Sequence, residues 1–272
     1  MLNVMRLGIP SLAAIALLSL AQSASANPLN AERASIPGGS AAIWSRSKGY
    51  AWRGRMEGSV RLPEDKHVRH VQKYTPRGRH WGTAELVGLI QRSARHVSRA
   101  HGPGRMSVGE LSARSGGRID GHKSHQNGRD VDIGFYLTDD RGKVLATPEF
   151  VYLRKDGTRS INQGMSLARF DVARNWSLVE ALVLDRETPV QYIFAANSIR
   201  RLLLQYARSV NASPEIIERA SKMIMPPGSG KPHTDHFHVR IYCPKDDKPA
   251  CREDGQVWSW SVPGGENALS MR

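Results

Sequence analysis

His236-Phe237-His238-Val239-Arg240-Ile241 is the stretch on which the fold turns. Side chains alternate across a β-strand, so Phe237, Val239 and Ile241 share one face and His236, His238 and Arg240 the other. The apolar face belongs to a core, and two imidazoles stand together on its back. A second run, Val131-Asp132-Ile133-Gly134-Phe135-Tyr136-Leu137, reads as a buried strand that carries one carboxylate. Around these two strands the chain alternates helices with non-consecutive strands. Residues 82–100 predict a helix with Leu86, Leu89, Ile90, Ala94 and Val97 inward and Thr83 as cap. Further helices are expected from Asn175 or Ser177 to Leu184, from a cap at Asn197, and from Ser213-Pro214-Glu215. Shorter strands are expected at Met106–Leu111 and Val190–Phe194. The expected class is α+β, a small antiparallel sheet flanked by helices.

The chemistry lies in two segments, Ser124-His125-Gln126-Asn127-Gly128-Arg129-Asp130-Val131-Asp132 and His233-Thr234-Asp235-His236-Phe237-His238. Together they offer two His and one Asp to a metal and leave a position for water, the pattern of a catalytic rather than a structural zinc site. His236 and His238 share a face, as two ligands or as ligand and proton carrier. Asp235 points away from them if the strand begins there. Asn127-Gly128 is a turn signal that lets the chain fold sharply between His125 and Asp132. A carboxylate inside an apolar strand is costly without a partner, so Asp132 should meet a cation, strong donors or a metal. Asp130, on the same face and nearer the turn, suits orientation of a histidine from behind, a turn cap or a salt bridge.

Composition bounds the setting. Arg6, the apolar run Leu7–Ala21 and Ala24-Ser25-Ala26 have the order of a cleavable export signal over residues 1–26. No Cys follows that run, and no later segment approaches the roughly 18 apolar residues of a spanning helix, so no membrane anchor is expected. Residues 27–62 are expected to be an irregular basic arm, 63–252 the catalytic domain and 253–272 a tail with Trp258 and Trp260 packing back. Cys243 and Cys251, on either side of a polar loop, suggest a local disulfide in an oxidising compartment. The formal charge of +14 is spread along the chain and suits an anionic wall polymer or a solvated surface. No nucleic-acid-binding motif is present, so nucleic acid is not an expected partner.

Ser124-His125-Gln126-x-Gly128-x-Asp130-Val131-Asp132 and His233-x-x-His236-x-His238-Val239-Arg240 resemble the penicillin-insensitive murein endopeptidase family, within the group of lysostaphin, D-Ala-D-Ala metallopeptidases and sonic hedgehog. Leu86-Val87-x-x-Ile90-Gln91-Arg92, Tyr242-Cys243-Pro244 and Cys251 extend the likeness across Trp81–Cys251. The resemblance implies a hedgehog- or D,D-peptidase-like fold and one zinc ion held by His125, Asp132 and His238. It implies His236 as the proton carrier beside the ion, with His122 and His233 near the site for substrate or a second metal. The chain departs from the family pattern at Arg159, which follows Asp156-Gly157 where a histidine is expected. Implied too are cleavage of D-Ala–diaminopimelate cross-links of peptidoglycan in the periplasm and indifference to β-lactams, since no serine is acylated. Trimming of D-Ala-D-Ala termini, or wall binding with a structural metal, are the alternative readings.

Overall fold

A computed structural model describes residues 44–161, 166–228 and 232–261; the segment expected to be an export signal and the last residues of the tail lie outside that range. The strands and helices follow in chain order. Strands β1 (Arg46–Tyr50), β2 (Arg53–Glu57), β3 (Val60–Arg61), β4 (Val68–His70) and β5 (Trp81–Gly82) precede helix α1 (Ala84–His101). Strands β6 (Met106–Val108), β7 (Asp130–Gly134), β8 (Leu137–Thr138), β9 (Val144–Leu145), β10 (Thr158–Ile161) and β11 (Ser166–Phe170) lead to α2 (Val172–Leu184). The remainder is β12 (Val190–Phe194), α3 (Asn197–Ser209), α4 (Pro214–Met223), β13 (Ile224–Met225) and β14 (His236–Ile241).

The main sheet has the order β13-β12-β14-β7-β6-β4, antiparallel through its middle. Only its two outer pairs, β12 with β13 and β4 with β6, are parallel. A smaller antiparallel sheet runs β10-β11-β8-β9, and α1 packs on α2, which contacts α3 and α4 in turn. The molecule is α+β, as its sequence predicts.

Directly opposed residues of an antiparallel pair share a face, with Cβ atoms about 4.5–5.5 Å apart. In the β14–β7 register His238 opposes Asp132, Arg240 opposes Asp130 and His236 opposes Gly134. The opposite face carries Phe237, Val239, Ile241, Val131 and Ile133, all fully buried in the core. Burial contributes about 1.5–3 kcal/mol for each such side chain. The same apolar alternation that anchors the two strands therefore sets the register of the polar face.

Several boundaries differ from expectation. Strand β6 ends at Val108, because Gly109 and Glu110 together face the single residue Asp132: Gly109 N donates to Asp132 O (2.8 Å) and Asp132 N to Glu110 O (3.0 Å). This bulge gives the chain one extra residue and re-aims Glu110. Helix α2 starts at Val172, because Asp171 caps it and its polar Asn175 is buried, bonded to both N and O of Tyr136. The cap of α3 is Ala196 rather than Asn197.

Residues 46–57, expected to be irregular, form the β1–β2 hairpin. Its strands are mostly polar, with Ser47 and Met56 the buried members, so local pattern does not announce it. Distant backbone holds it instead: Gly49 N donates to Ala250 O (2.8 Å), Arg252 N to Gly49 O (3.0 Å) and Gly117 N to Gly54 O (3.1 Å). The described part of the tail also joins the core. Trp258 is buried, donates from Nε1 to Gln191 O (2.7 Å) and stacks on Trp260.

Candidate metal centre

His125 sits in a loop whose conformation is held from several directions. Its φ of 66° is left-handed, uncommon for a residue with a side chain and costly unless the surroundings enforce it. His125 N donates to Asp130 Oδ2 (3.2 Å), Gln126 N to Ala51 O (3.0 Å), Asn127 Nδ2 to Gly49 O (3.1 Å) and Gly128 N to Ser112 Oγ (3.1 Å). Gly128, at φ 78°, completes the turn; a Cβ there would lie 2.1 Å from Met56 Sδ. The hairpin of residues 46–57 is thus a strap across the His125 loop.

Four imidazoles surround Asp132, and each presents it a ring nitrogen. Asp132 Oδ1 lies 3.3 Å from His125 Nε2, 3.5 Å from His238 Nδ1 and 3.6 Å from His236 Nε2. Its Oδ2 lies 3.7 Å from His122 Nδ1. In every ring the other nitrogen has a fixed acceptor. His125 Nδ1 is 2.7 Å from Leu111 O and His238 Nε2 is 2.8 Å from Asp130 Oδ1. His236 Nδ1 is 2.7 Å from Asp235 Oδ1 and His122 Nε2 is 2.9 Å from Glu110 Oε2. Acceptors on the far side assign the proton there and leave the near nitrogen with its lone pair toward Asp132.

The fit to a metal rests on these near atoms. His125 Nε2 and Asp132 Oδ1 are buried and have no hydrogen-bond partner. Orphaned polar atoms cost free energy, and a shared cation satisfies both at once. Ligand atoms held tetrahedrally at zinc distances are about 3.3–3.4 Å apart, close to the spacings around Asp132 Oδ1. Ligand atoms of His122, His125 and Asp132 also lie within 4.8 Å of one another. His125 and Asp132 are common to every grouping, and His122, His236 and His238 are the neighbours from which the set is completed.

Electrostatics point the same way. Burial works to raise the Asp132 carboxyl, but His125, His236 and His238 outweigh it and hold the group ionised, far below the usual carboxylate range. Asp130, wholly buried, is likewise kept ionised against burial by Arg240 and His238; Arg240 Nε donates to its Oδ1 at 2.7 Å. Burial presses His238 down to about 4 despite Asp130, so the ring is neutral and its lone pair is free to bind. His125 and His236 are pulled down by burial but raised overall, chiefly by the Asp132 carboxylate. A positive ion at Asp132 would remove that upward pull.

A cleft of about 740 Å³ opens over the site, with Trp52, Tyr74, Phe150, Tyr152 and Phe194 in its walls. Six of the sequence-predicted residues, His122, His125, Asp130, Asp132, His236 and His238, converge here. His233 is close behind, its ring 4.6 Å from that of His236. Arg159, at the expected departure, is exposed on β10 in the smaller sheet. Cys243 and Cys251 are joined by a disulfide with a Cα–Cα distance of 5.8 Å. Sequence reading missed two carboxylates. Asp235, just before β14 and so outside its alternation, is buried and bonded to His236. Glu110, only 2% exposed, supports His122. The available signal was an acid within Met106–Leu111, a segment expected to be a strand, which marks a buried carboxylate but not its partner.

A family model described as penicillin-insensitive murein endopeptidase matches residues 47–266. Proteins named penicillin-insensitive murein endopeptidase from Escherichia coli O1:K1 / APEC and from Escherichia coli strain SMS-3-5 / SECEC are each similar to this chain. Both are 28% identical over 240 residues, 87% of this chain and 78% of theirs.

Proposed function

The chain belongs to the penicillin-insensitive murein endopeptidase family, peptidases that act on peptidoglycan, and from that premise we propose a zinc endopeptidase cleaving D-Ala–diaminopimelate cross-links. The observation that carries the metal is the convergence of bare imidazole nitrogens on Asp132, with His125 Nε2 and Asp132 Oδ1 left buried and unpartnered. In this reading His125 Nε2, Asp132 Oδ1 and His238 Nδ1 hold the ion. Zinc bound there supplies a Lewis acid for the scissile carbonyl and lowers the pKa of a water toward about 7.

The protein's own groups do the rest. Asp130 keeps the His238 proton on Nε2, and Leu111 O keeps the His125 proton on Nδ1, so both rings stay ligands and do not turn. His236 lines the cleft with side-chain exposure of 17%, as His122 does with 18%, so substrate can reach it. Its Nδ1–H is held by Asp235, which orients Nε2 and stabilises the ring once protonated. His236 Nε2 accepts the proton given up as the amide carbon is attacked, then returns it to the departing amine. Phe150 lies nearly parallel to the His236 ring at 4.9 Å, shielding one face and fixing the ring plane.

The same reading puts the reaction in the periplasm, where a Cys243–Cys251 disulfide persists. The test is digestion of purified muropeptide dimers with and without chelator, read by mass spectrometry. Monomer release that chelator abolishes and zinc restores is expected, with Asp132→Ala inactive. Release of single D-Ala would move the assignment to terminal trimming, and chelator-resistant cleavage would remove the metal.

A further inference from the structure

The wall of the cleft beside His122 carries a charge that hydrolysis of the amide does not use. Glu110 accepts from Arg77 Nη1 (2.8 Å), Arg79 Nη1 (3.2 Å) and His122 Nε2 (2.9 Å). One carboxylate therefore answers two guanidiniums, and the wall keeps a net positive charge even with His122 neutral. The two arginines are not equivalent. Arg79 is the inner one; its side chain is 17% exposed and Nη1 also donates to Asp120 O (2.9 Å). Arg77 is the outer one; its side chain is 46% exposed and lines the cleft.

A guanidinium presents five N–H donors in a rigid fork that matches a carboxylate. In Arg77 the bond to Glu110 is made by Nη1. The Arg77 head lies over the Tyr74 ring, 5.5 Å from its centre. The group is thus anchored at one nitrogen, backed by an aromatic face and turned toward the cleft. Glu110 and His122 link it to Asp132 through successive contacts of 2.8, 2.9 and 3.7 Å, and Arg77 and Asp132 line the same cleft. Phe150, Tyr152 and Phe194 also line the cleft, Phe150 with its ring 5.2 Å from that of Tyr74.

We propose that Arg77 is a specificity-determining residue that binds, through its free fork, the substrate carboxylate next to the scissile amide. The assignment rests on the reading of the cleft as a peptidoglycan cross-link peptidase. In such a cross-link D-Ala acylates one amine of diaminopimelate, and the carbon bearing that nitrogen keeps its own carboxylate. An anion therefore always accompanies the bond to be cut, on the side of the departing amine. A cationic fork in the wall of the same cleft recognises it and orients the nitrogen at the same time.

The experiment compares wild type, Arg77→Gln and Arg77→Lys on two muropeptide dimers. They differ only in whether the diaminopimelate carboxylate at the scissile bond is free or amidated; a third dimer is amidated only at its chain terminus. Wild type is expected to favour the free acid by about 10- to 100-fold in kcat/KM, the range for a hydrogen bond between charged groups. Amidation of the terminus should leave that preference in place. Arg77→Gln should erase the ratio, mainly through KM, and Arg77→Lys should keep part of it. Equal losses on free and amidated dimers in Arg77→Gln would make the residue a mere support for Glu110 and overturn the assignment, as would preference for the terminal acid. Cleavage of all dimers without discrimination by wild type sinks Arg77 alone; cleavage of none, with zinc bound, sinks the cross-link reading with it.

Discussion

Replacing Asp130 by Asn tests whether the site is held together by one buried charge. Asp130 is fully buried, and all three of its partners are donors: His238 Nε2 and Arg240 Nε on Oδ1, His125 N on Oδ2. An Asn of the same shape has one oxygen. Kept toward Arg240 and His238, it turns its NH2 against the His125 N–H, at the residue whose left-handed backbone most needs that bond. Turned the other way, it sets two donors against two donors. In either case Arg240, 9% exposed, loses its buried counter-charge. Breaking a buried pair in this way costs about 3–5 kcal/mol. His238 and His125 lose orientation together, and removing such support weakens metal binding about 10- to 100-fold. Urea unfolding in chelator should show the stability loss, and a zinc competition titration the weaker binding. The pH dependence has a definite sign. The folded carboxyl lies below its unfolded value, so its contribution is present above about pH 4 and is lost as pH falls through the folded value. Asp130→Asn should remove that acid limb. A variant within about 1 kcal/mol of wild type, binding zinc as tightly, would show that Asp130 is not the linchpin.

His80, stacked on His70 at 3.8 Å, is held down to about 4 by burial and by that neighbour. The unfolded chain then binds the proton first as pH falls. Stability is unaffected by His80 above about pH 6.5 and declines toward pH 4 by about 3 kcal/mol, and His80→Gln should flatten that slope in pH-resolved unfolding. Removing the Cys243–Cys251 bridge by paired serine substitution should cost about 2–3 kcal/mol for its short loop, read as a lower denaturation midpoint in non-reducing buffer. His236→Ala should lower kcat about 10²- to 10⁴-fold while metal content, measured by elemental analysis, stays at the wild-type level. Loss of zinc from that variant would make His236 a ligand.

Legibility from sequence followed the range of the forces involved. The β14 strand, the Asp132 anomaly and the Thr83 cap of α1 were readable because alternation and capping are decided within a few residues. The β1–β2 hairpin was not, since the bonds that hold Gly49 come from Ala250 and Arg252 and its strands bury little apolar surface. The bulge at Gly109-Glu110 exists only against Asp132, a partner distant in sequence, so the aim of Glu110 at His122 could not be foreseen. Asp235 lies one residue outside β14, where strand alternation no longer fixes a side chain's direction.

The strap across the His125 loop also bears on when the site comes into being. Gln126 is tied to Ala51, Asn127 to Gly49, and Gly49 in turn to Ala250 and Arg252, beyond the strand that carries His238. A chain emerging from its N-terminus therefore has the hairpin and His125 early, yet cannot clamp them until the segment after His238 has arrived. Such long-range closures form late, after the loops between them have been drawn together. His236, His238 and the two residues that clamp Gly49 all lie within residues 236–252. The geometry of the His125 loop is thus set by contacts that can close only once the chain has been made through Arg252.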